Sequence, residues 1–324
     1  MKASLFCFSD SGCLIAEKLC SLLGLENNCI HRRIDGEMGA LFAENDALIF
    51  IGACGIAVRA IAPYIKSKTT DPAVVVIDDQ GKYVIPILSG HIGGANRLAE
   101  KIAQLLGAAA VITTATDGAG KFSSDAWAAQ NNCAISSMNV AKEVSAAILK
   151  KDIPVVSDHK LPSSLPQGLV YGERGEIGIY IGIHEKSPFK TTLRLIPRIL
   201  VLGIGCRKGT SEEHILSAIR TVFKDNSLDI KAIGKVASID VKKGEEGLLS
   251  CAKELKAELV FYTSDELNAL DGDFGESDFV KKTVGTGNVC ERSAVLAGGK
   301  LIVRKTMMNG VTVAVAEKDW RIEF

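Results

Sequence analysis

The feature that most constrains the fold of this chain is an alternation of short β-branched runs with amphipathic stripes. Runs at residues 5–8, 48–51, 74–77, 84–88 and 110–113 have the length and composition of strands. Between them, Ile15, Leu19, Leu22 and Leu23 recur at helical spacing, and Leu98, Ile102, Leu105 and Leu106 repeat the pattern. Strands that alternate with helices assemble into a largely parallel sheet with helices packed on its faces. The polar turn Asp78-Asp79-Gln80-Gly81 sits between two strand runs, so one hairpin is expected to break the parallel order.

The pattern loosens after residue 120. A helix near 140–149, a strand at 154–157 and the alternating Ile177, Ile179, Ile181 and Ile183 suggest a small α+β middle module, and the two prolines of 187–198 suggest a linker. Regular alternation then returns. A strand at 199–203 leads to a helix expected to start at a capping box, Thr210 with Glu213, and to bury Ile215, Ile219 and Val222. Further helices fit 245–255 and 290–297, and Asn309-Gly310 signals a closing hairpin. The expected fold class is therefore α/β, with two α/β domains of mainly parallel sheets, 1–120 and 198–324, joined by the middle module and linker, 121–197. A length of 324 residues suits that division.

Composition excludes several function classes. Lys plus Arg and Asp plus Glu both number 38, so there is no overall basic field to gather nucleic acid. The longest apolar run, 47–58, contains two glycines and stops at Arg59, short of the ~20 residues of a membrane helix. The opening apolar stretch is too brief for a secretory signal. Nine scattered cysteines show no C-x-x-C pair and no histidine at zinc spacing, which predicts reduced, packed thiols in a cytoplasmic protein without a metal site of its own.

Chemistry is concentrated where strand runs give way to helices. P-I-L-S-G-H-I-G-G-A-N-R-L-A-E (86–100) sets His91 among Ser89, Gly90, Gly93 and Gly94, with Asn96 and Arg97 opening the next helix. Glycines let backbone N–H groups approach an anionic ligand, and a histidine at the mouth of such a loop suits proton transfer. In F-I-G-A-C-G-I-A-V-R (50–59), Gly52 and Gly55 serve either ligand contact or tight helix–sheet packing. I-T-T-A-T-D (112–117) ends a strand run in hydroxyls and a carboxylate, with Thr114 and Asp117 as candidates for ligand contact or for helix capping. L-G-I-G-C-R-K-G-T (202–210) lacks the spacing and the acidic residue of a dinucleotide site. Its Gly205, Cys206, Arg207 and Lys208 suit a carboxylate-rich ligand instead. A-S-I-D-V-K-K-G-E-E (237–246) places Ser238, Lys242 and Glu245 around a similar turn, the competing reading being a solvated charged loop.

Taken in order, I-G-A-C-G-I-A-V-R-A-I-A-P (51–63), L-S-G-H-I-G-G-A-N (88–96) and I-T-T-A-T-D resemble the amino-terminal part of the cobalt-precorrin-5A hydrolases. G-I-G-C-R-K-G-T (203–210), A-S-I-D-V-K-K-G-E-E-G-L (237–248) and G-N-V-C-E-R-S-A (287–294) resemble that family's carboxy-terminal domain. The middle module matches by position alone, and Glu291-Arg292-Ser293 departs from the small apolar residues expected after the glutamate. The resemblance implies hydrolysis of the ring A acetate lactone of cobalt-precorrin-5A with release of acetaldehyde, giving cobalt-precorrin-5B in anaerobic cobalamin biosynthesis. That reaction needs a base and an oxyanion site, for which His91 is expected as general base, Asp117 as its orienting or relay partner, and the Gly93 and Gly94 N–H groups as oxyanion donors. Arg97, Arg207, Lys208 and Lys242 would meet the carboxylates of the cobalt-tetrapyrrole substrate. Gly52, Gly55, Ser89, Gly90, Asn96, Thr114, Gly205, Cys206, Ser238, Glu245 and Glu291 would complete its binding surface. No cofactor is implied beyond the cobalt that the substrate carries. Expected partners are neighbouring methyltransferases and a second copy of the chain, and no nucleic acid or membrane. The alternative reading is a non-catalytic carrier of tetrapyrrole intermediates, which would need the basic and glycine-rich contacts but not His91 or Asp117.

Overall fold

The computed structural model describes residues 1–26, 29–34, 36–67, 69–114 and 120–324, apart from the side chain of Phe279. Asp117 therefore lies outside the described residues. The chain divides into two compact units: 1–130 with 145–152 and 166–168, and 131–144 with 153–165 and 169–324.

The first unit is built from β1 (Ala3–Cys7), α1 (Asp10–Leu23), β2 (Ile30–His31), α2 (Met38–Glu44), β3 (Ala47–Ile51), α3 (Cys54–Ile61), β4 (Ala73–Ile77), β5 (Tyr83–Leu88), α4 (Ala95–Leu106), β6 (Ala109–Ala110) and α5 (Ser124–Gln130). Its sheet runs β2-β1-β3-β4-β5-β6. Every residue of β1, β3 and β4 is buried, because helices cover both faces. This is why those strands read as continuous apolar runs instead of alternating ones. Leu5, Ile49 and Val75 meet Leu19 of α1 and Leu98 and Ile102 of α4 on one face, while Phe6, Phe50 and Val76 meet Phe42 and Ile61 on the other. The expected stripes are thus the buried faces of α1 and α4.

The polar turn forms the expected hairpin. Asp78 Oδ1 accepts the N–H groups of Lys82 and Tyr83 at 2.7 and 2.6 Å, and β5 returns antiparallel to β4. In consequence β5 and β6 point opposite to β1, β3 and β4. The cysteines correct one expectation. Two residues separate the buried end of β1 from α1, which brings Cys7 and Cys13 to a Cα separation of 5.1 Å as a disulfide inside the core, where nine thiols had been expected. Cys20, Cys29, Cys54, Cys133, Cys206, Cys251 and Cys290 are thiols.

The second unit holds two sheets. The first contains β7 (Cys133–Ile135), β8 (Ile153–Ser157), β9 (Leu169–Tyr171), β10 (Ile177–Ile181) and β11 (Thr191–Pro197) in the order β7-β11-β10-β8-β9, with α6 (Met138–Ile148) between β7 and β8 in the chain. The expected linker is strand β11, flanked by β7 and β10. Its Leu193, Leu195 and Ile196 are fully buried, and Pro197 ends the strand, where it does not interrupt it. The second sheet contains β12 (Leu200–Cys206), β13 (Ile233–Ile239), β14 (Glu258–Tyr262), β15 (Lys300–Met308) and β16 (Val311–Glu317) in the order β14-β13-β12-β16-β15. Its helices are α7 (Glu212–Asp225), α8 (Glu246–Glu254), α9 (Ser264–Asn268), α10 (Asp278–Val284) and α11 (Val289–Gly298).

Most of the middle stretch does not stand apart from this domain, whereas 121–130, 145–152 and 166–168 belong to the first unit. Ile183 and Ile196 share a core with Leu200, Leu202, Ile219 and Phe223, and Arg194 meets the buried Asp229 at 2.7 Å. Asp158 gathers Tyr180, His184 and Lys186 at the end of β8. Burial alone would push its carboxyl up, but those three donors outweigh it and hold the group below the usual carboxylate range. The cap of α7 is Ser211, which accepts the His214 N–H, one residue beyond the expected Thr210. Asn309 and Gly310, with φ of 48° and 82°, form the two-residue turn of the closing hairpin. Among the described residues no helix is long and apolar enough to cross a membrane, and no cluster of three metal-ligating side chains occurs.

Candidate active site

The loop between β5 and α4 is shaped by its own backbone. The Ser89 carbonyl accepts the Ala95 N–H at 3.1 Å, that of Gly90 accepts Asn96 at 3.0 Å, and that of His91 accepts Gly94 at 3.0 Å. A Cβ on Gly93 would fall 2.4 Å from Cβ of Ser89, and Gly94 has φ of 80°, so neither position takes another residue without strain. Ser89 itself has φ of 55°, and its buried hydroxyl has no hydrogen-bond partner among the described residues. The Asn96 side chain donates to Thr114 Oγ1 at 3.1 Å, which ties the start of α4 to the segment that follows β6. Because the Gly94 N–H closes the turn onto His91, it is not an oxyanion donor as had been expected.

His91 sits beside a cavity of about 410 Å³ whose wall includes Gly93, Arg97, Glu100, Lys121 and Gln130. Its Nδ1 lies 3.2 Å from Oδ1 of Asp125, the two side chains being 16% and 12% exposed. The Ser123 hydroxyl donates to the same oxygen at 2.8 Å. A neutral imidazole with its proton on Nδ1, toward the carboxylate, carries its basic lone pair on Nε2. Asp125 is the residue that sequence reasoning missed. Two serines and an acid ahead of an apolar helix mark a helix start, but nothing local in the chain connects that start to His91.

Gly52 and Gly55 are not part of this cavity. They follow β3, whose end lies beside Ile77 and, across the hairpin, Val84, whereas His91 follows Leu88, which pairs with Val74 at the other end of β4. The two loops lie at opposite ends of one sheet, separated by about 13 Å of strand. A Cβ on Gly52 would contact the Phe8 ring at 3.2 Å, so close packing is its role.

In the second unit β12 and β13 are parallel neighbours, so their C-terminal ends bring two motifs together. Glu245 Oε2 accepts the Gly209 N–H at 2.8 Å and Oε1 meets Lys242 Nζ at 3.1 Å. The amide first, then Lys242, holds this carboxyl below its ordinary range. Arg207 and Lys208 are exposed on the same turn. Burial pushes the Cys206 thiol up despite the nearby Lys242, so the sulfur is protonated at neutral pH.

Of three residues expected to touch ligand, Ser238 and Glu291 are internal and the half-buried Gly205 packs against a neighbouring strand. Ser238 is fully buried and donates to the Ile204 carbonyl at 2.7 Å. Glu291 is 2% exposed, its oxygens taken by Asn288 Nδ2 at 2.9 Å and by the Lys305 and Gly275 amides at 2.7 and 3.3 Å. The polar residues around Glu291, unlike the small apolar ones expected, serve the same tie: Arg292 reaches the Leu267 and Leu270 carbonyls. A Cβ on Gly205 would lie 2.5 Å from Thr312 Oγ1 of β16, so this glycine serves strand packing.

Two family models match the chain, cobalamin synthesis G N-terminal over residues 37–117 and cobalamin synthesis G C-terminus over 200–316. A cobalt-precorrin-5A hydrolase of Salmonella typhimurium is 33% identical, the match covering 96% of each chain. A protein of the same name from Priestia megaterium is 34% identical over 86% of this chain and 80% of its own. Protein CobE of a Sinorhizobium species is 28% identical over 36% of this chain and 79% of its own length.

Proposed function

The chain belongs to the cobalamin synthesis G family, and from that premise we propose that it is a cobalt-precorrin-5A hydrolase that opens the ring A acetate lactone and releases acetaldehyde. The end-to-end match to the Salmonella hydrolase carries this reading. The His91 cavity supports it by supplying a base where hydrolysis needs one.

In this reading His91 Nε2 takes a proton from water as the oxygen adds to the lactone carbonyl, and the Gly93 N–H steadies the oxyanion. Collapse breaks the ester C–O bond and leaves a carboxylate on ring A and an oxygen on the extruded two-carbon unit. That oxygen forms the aldehyde C=O as the carbon–carbon bond to the macrocycle breaks, and the released electron pair passes into the conjugated ring, which then takes up a proton. Water and lactone thus become acid and acetaldehyde. The macrocycle is its own electron sink, so no cofactor is required beyond the cobalt it brings. Arg97, in the wall of the His91 cavity, carries charge that a carboxylate side chain of the substrate requires.

The test is anaerobic incubation of the purified protein with cobalt-precorrin-5A in H₂¹⁸O. Expected are one equivalent of acetaldehyde, read through a coupled NADH-dependent dehydrogenase, and one ¹⁸O in the new carboxylate. Tight binding of the substrate without acetaldehyde would make the chain a carrier and overturn the proposal.

A further inference from the structure

We infer that Asp125 is a positioning residue that holds His91 as a base. The inference rests on the reading of His91 as general base and deepens it. A carboxylate that is 12% exposed must be compensated by donors, and among the described residues Ser123 Oγ at 2.8 Å and the imidazole at 3.2 Å stand at the same oxygen. Asp125 occupies the first turn of α5 and His91 the loop before α4, so two separately anchored elements fix the pair. Ser123 restrains the carboxylate and the carboxylate restrains the ring.

The chemical consequence follows from the atom involved. A carboxylate at Nδ1 selects the tautomer with hydrogen there, keeps the Nε2 lone pair basic and in one orientation, and stabilises the imidazolium formed when Nε2 takes the proton from water. Asp125 itself takes no proton. Arg97, Glu100 and Lys121 face the same cavity, and their charges act on His91 in the parent and in the variants alike, so a comparison of the two isolates the carboxylate.

The experiment uses the full chain labelled with ¹⁵N-histidine, the His91 signal being assigned by its loss in His91→Ala. At pH 8 the parent should show the Nδ1–H tautomer. Asp125→Asn should move the His91 titration midpoint about 1 pH unit lower, because an opposite charge that favoured the imidazolium is gone. The acidic limb of the kcat/KM profile should move to lower pH with it. We expect kcat to fall about 100-fold or more with KM for cobalt-precorrin-5A within about threefold, and Asp125→Glu to recover part of the loss. An Nε2–H tautomer in the parent overturns the inference, and that measurement needs no folded Asp125 variant. A midpoint indifferent to Asp125→Asn, with His91→Ala still slow, also overturns it while leaving His91 as the base. A full rate in His91→Ala removes both readings together.

Discussion

Replacing His91 with alanine lowers the single-turnover rate of acetaldehyde release by about 10² to 10⁴-fold, the usual contribution of a positioned base. The fold survives the change for a structural reason. The loop is held by backbone bonds from Ala95 to Ser89 and from Asn96 to Gly90, none of which uses the imidazole. Asp125 keeps the Ser123 hydroxyl as a partner. The melting temperature should therefore stay within a few degrees of the parent, and substrate affinity should hold, since Arg97 in the same cavity is untouched. A variant that releases acetaldehyde at the parental rate would take His91 out of the mechanism. One that fails to fold would show that the loop depends on the ring after all.

Gly203→Ala should have the largest effect on stability. A Cβ at this position would lie 1.7 Å from the Cys290 carbonyl oxygen and 2.9 Å from the Ala294 methyl, because α11 rests directly on β12 there. Neither backbone can yield without moving a whole element, so a loss of about 3 kcal/mol or more is expected. For a domain of this size that corresponds to a fall of roughly 6 to 12 °C in Tm. A fall of under 2 °C by calorimetry would mean that the helix does not lie on the strand as described.

Gly55→Ala provides the contrast. Its nearest neighbour would be the flexible Arg59 guanidinium at 3.4 Å, in a helical position, where alanine is favoured over glycine by about 0.5 to 1 kcal/mol. Stability unchanged or raised by that amount, together with an unchanged kcat, is expected of a residue at the far end of the sheet from His91. A tenfold loss of activity would return the Gly52–Gly55 turn to the substrate site.

These three positions also show how much was legible beforehand. The hydrophobic stripes of α1 and α4, the buried strands and both hairpin turns could be read because each depends on side chains within a few residues of one another. So could the concentration of chemistry in the loop around His91, where glycines, a histidine and a helix start adjoin in the chain. The antiparallel return of β5 followed from Asp78-Asp79-Gln80-Gly81, although its consequence, that Gly52 and His91 lie at opposite ends of the sheet, emerges only when strand directions are laid side by side. Strand β11 was mistaken for a linker because its prolines and basic residues resemble a loop locally. Its burial between β7 and β10 outweighs that composition.

Local sequence thus determined most of the helices and strands, the hairpin turns and the loop that carries the imidazole, since periodicity and φ preference act over a few residues. Only the tertiary structure decided that Asp125 lies beside His91, that Ser238 and Glu291 are internal ties, and that the G-x-G of β12 packs rather than binds. Each of those outcomes depends on contacts between residues distant in the chain, and no local pattern encodes which distant atoms will share a hydrogen bond or fill the space beside a missing Cβ.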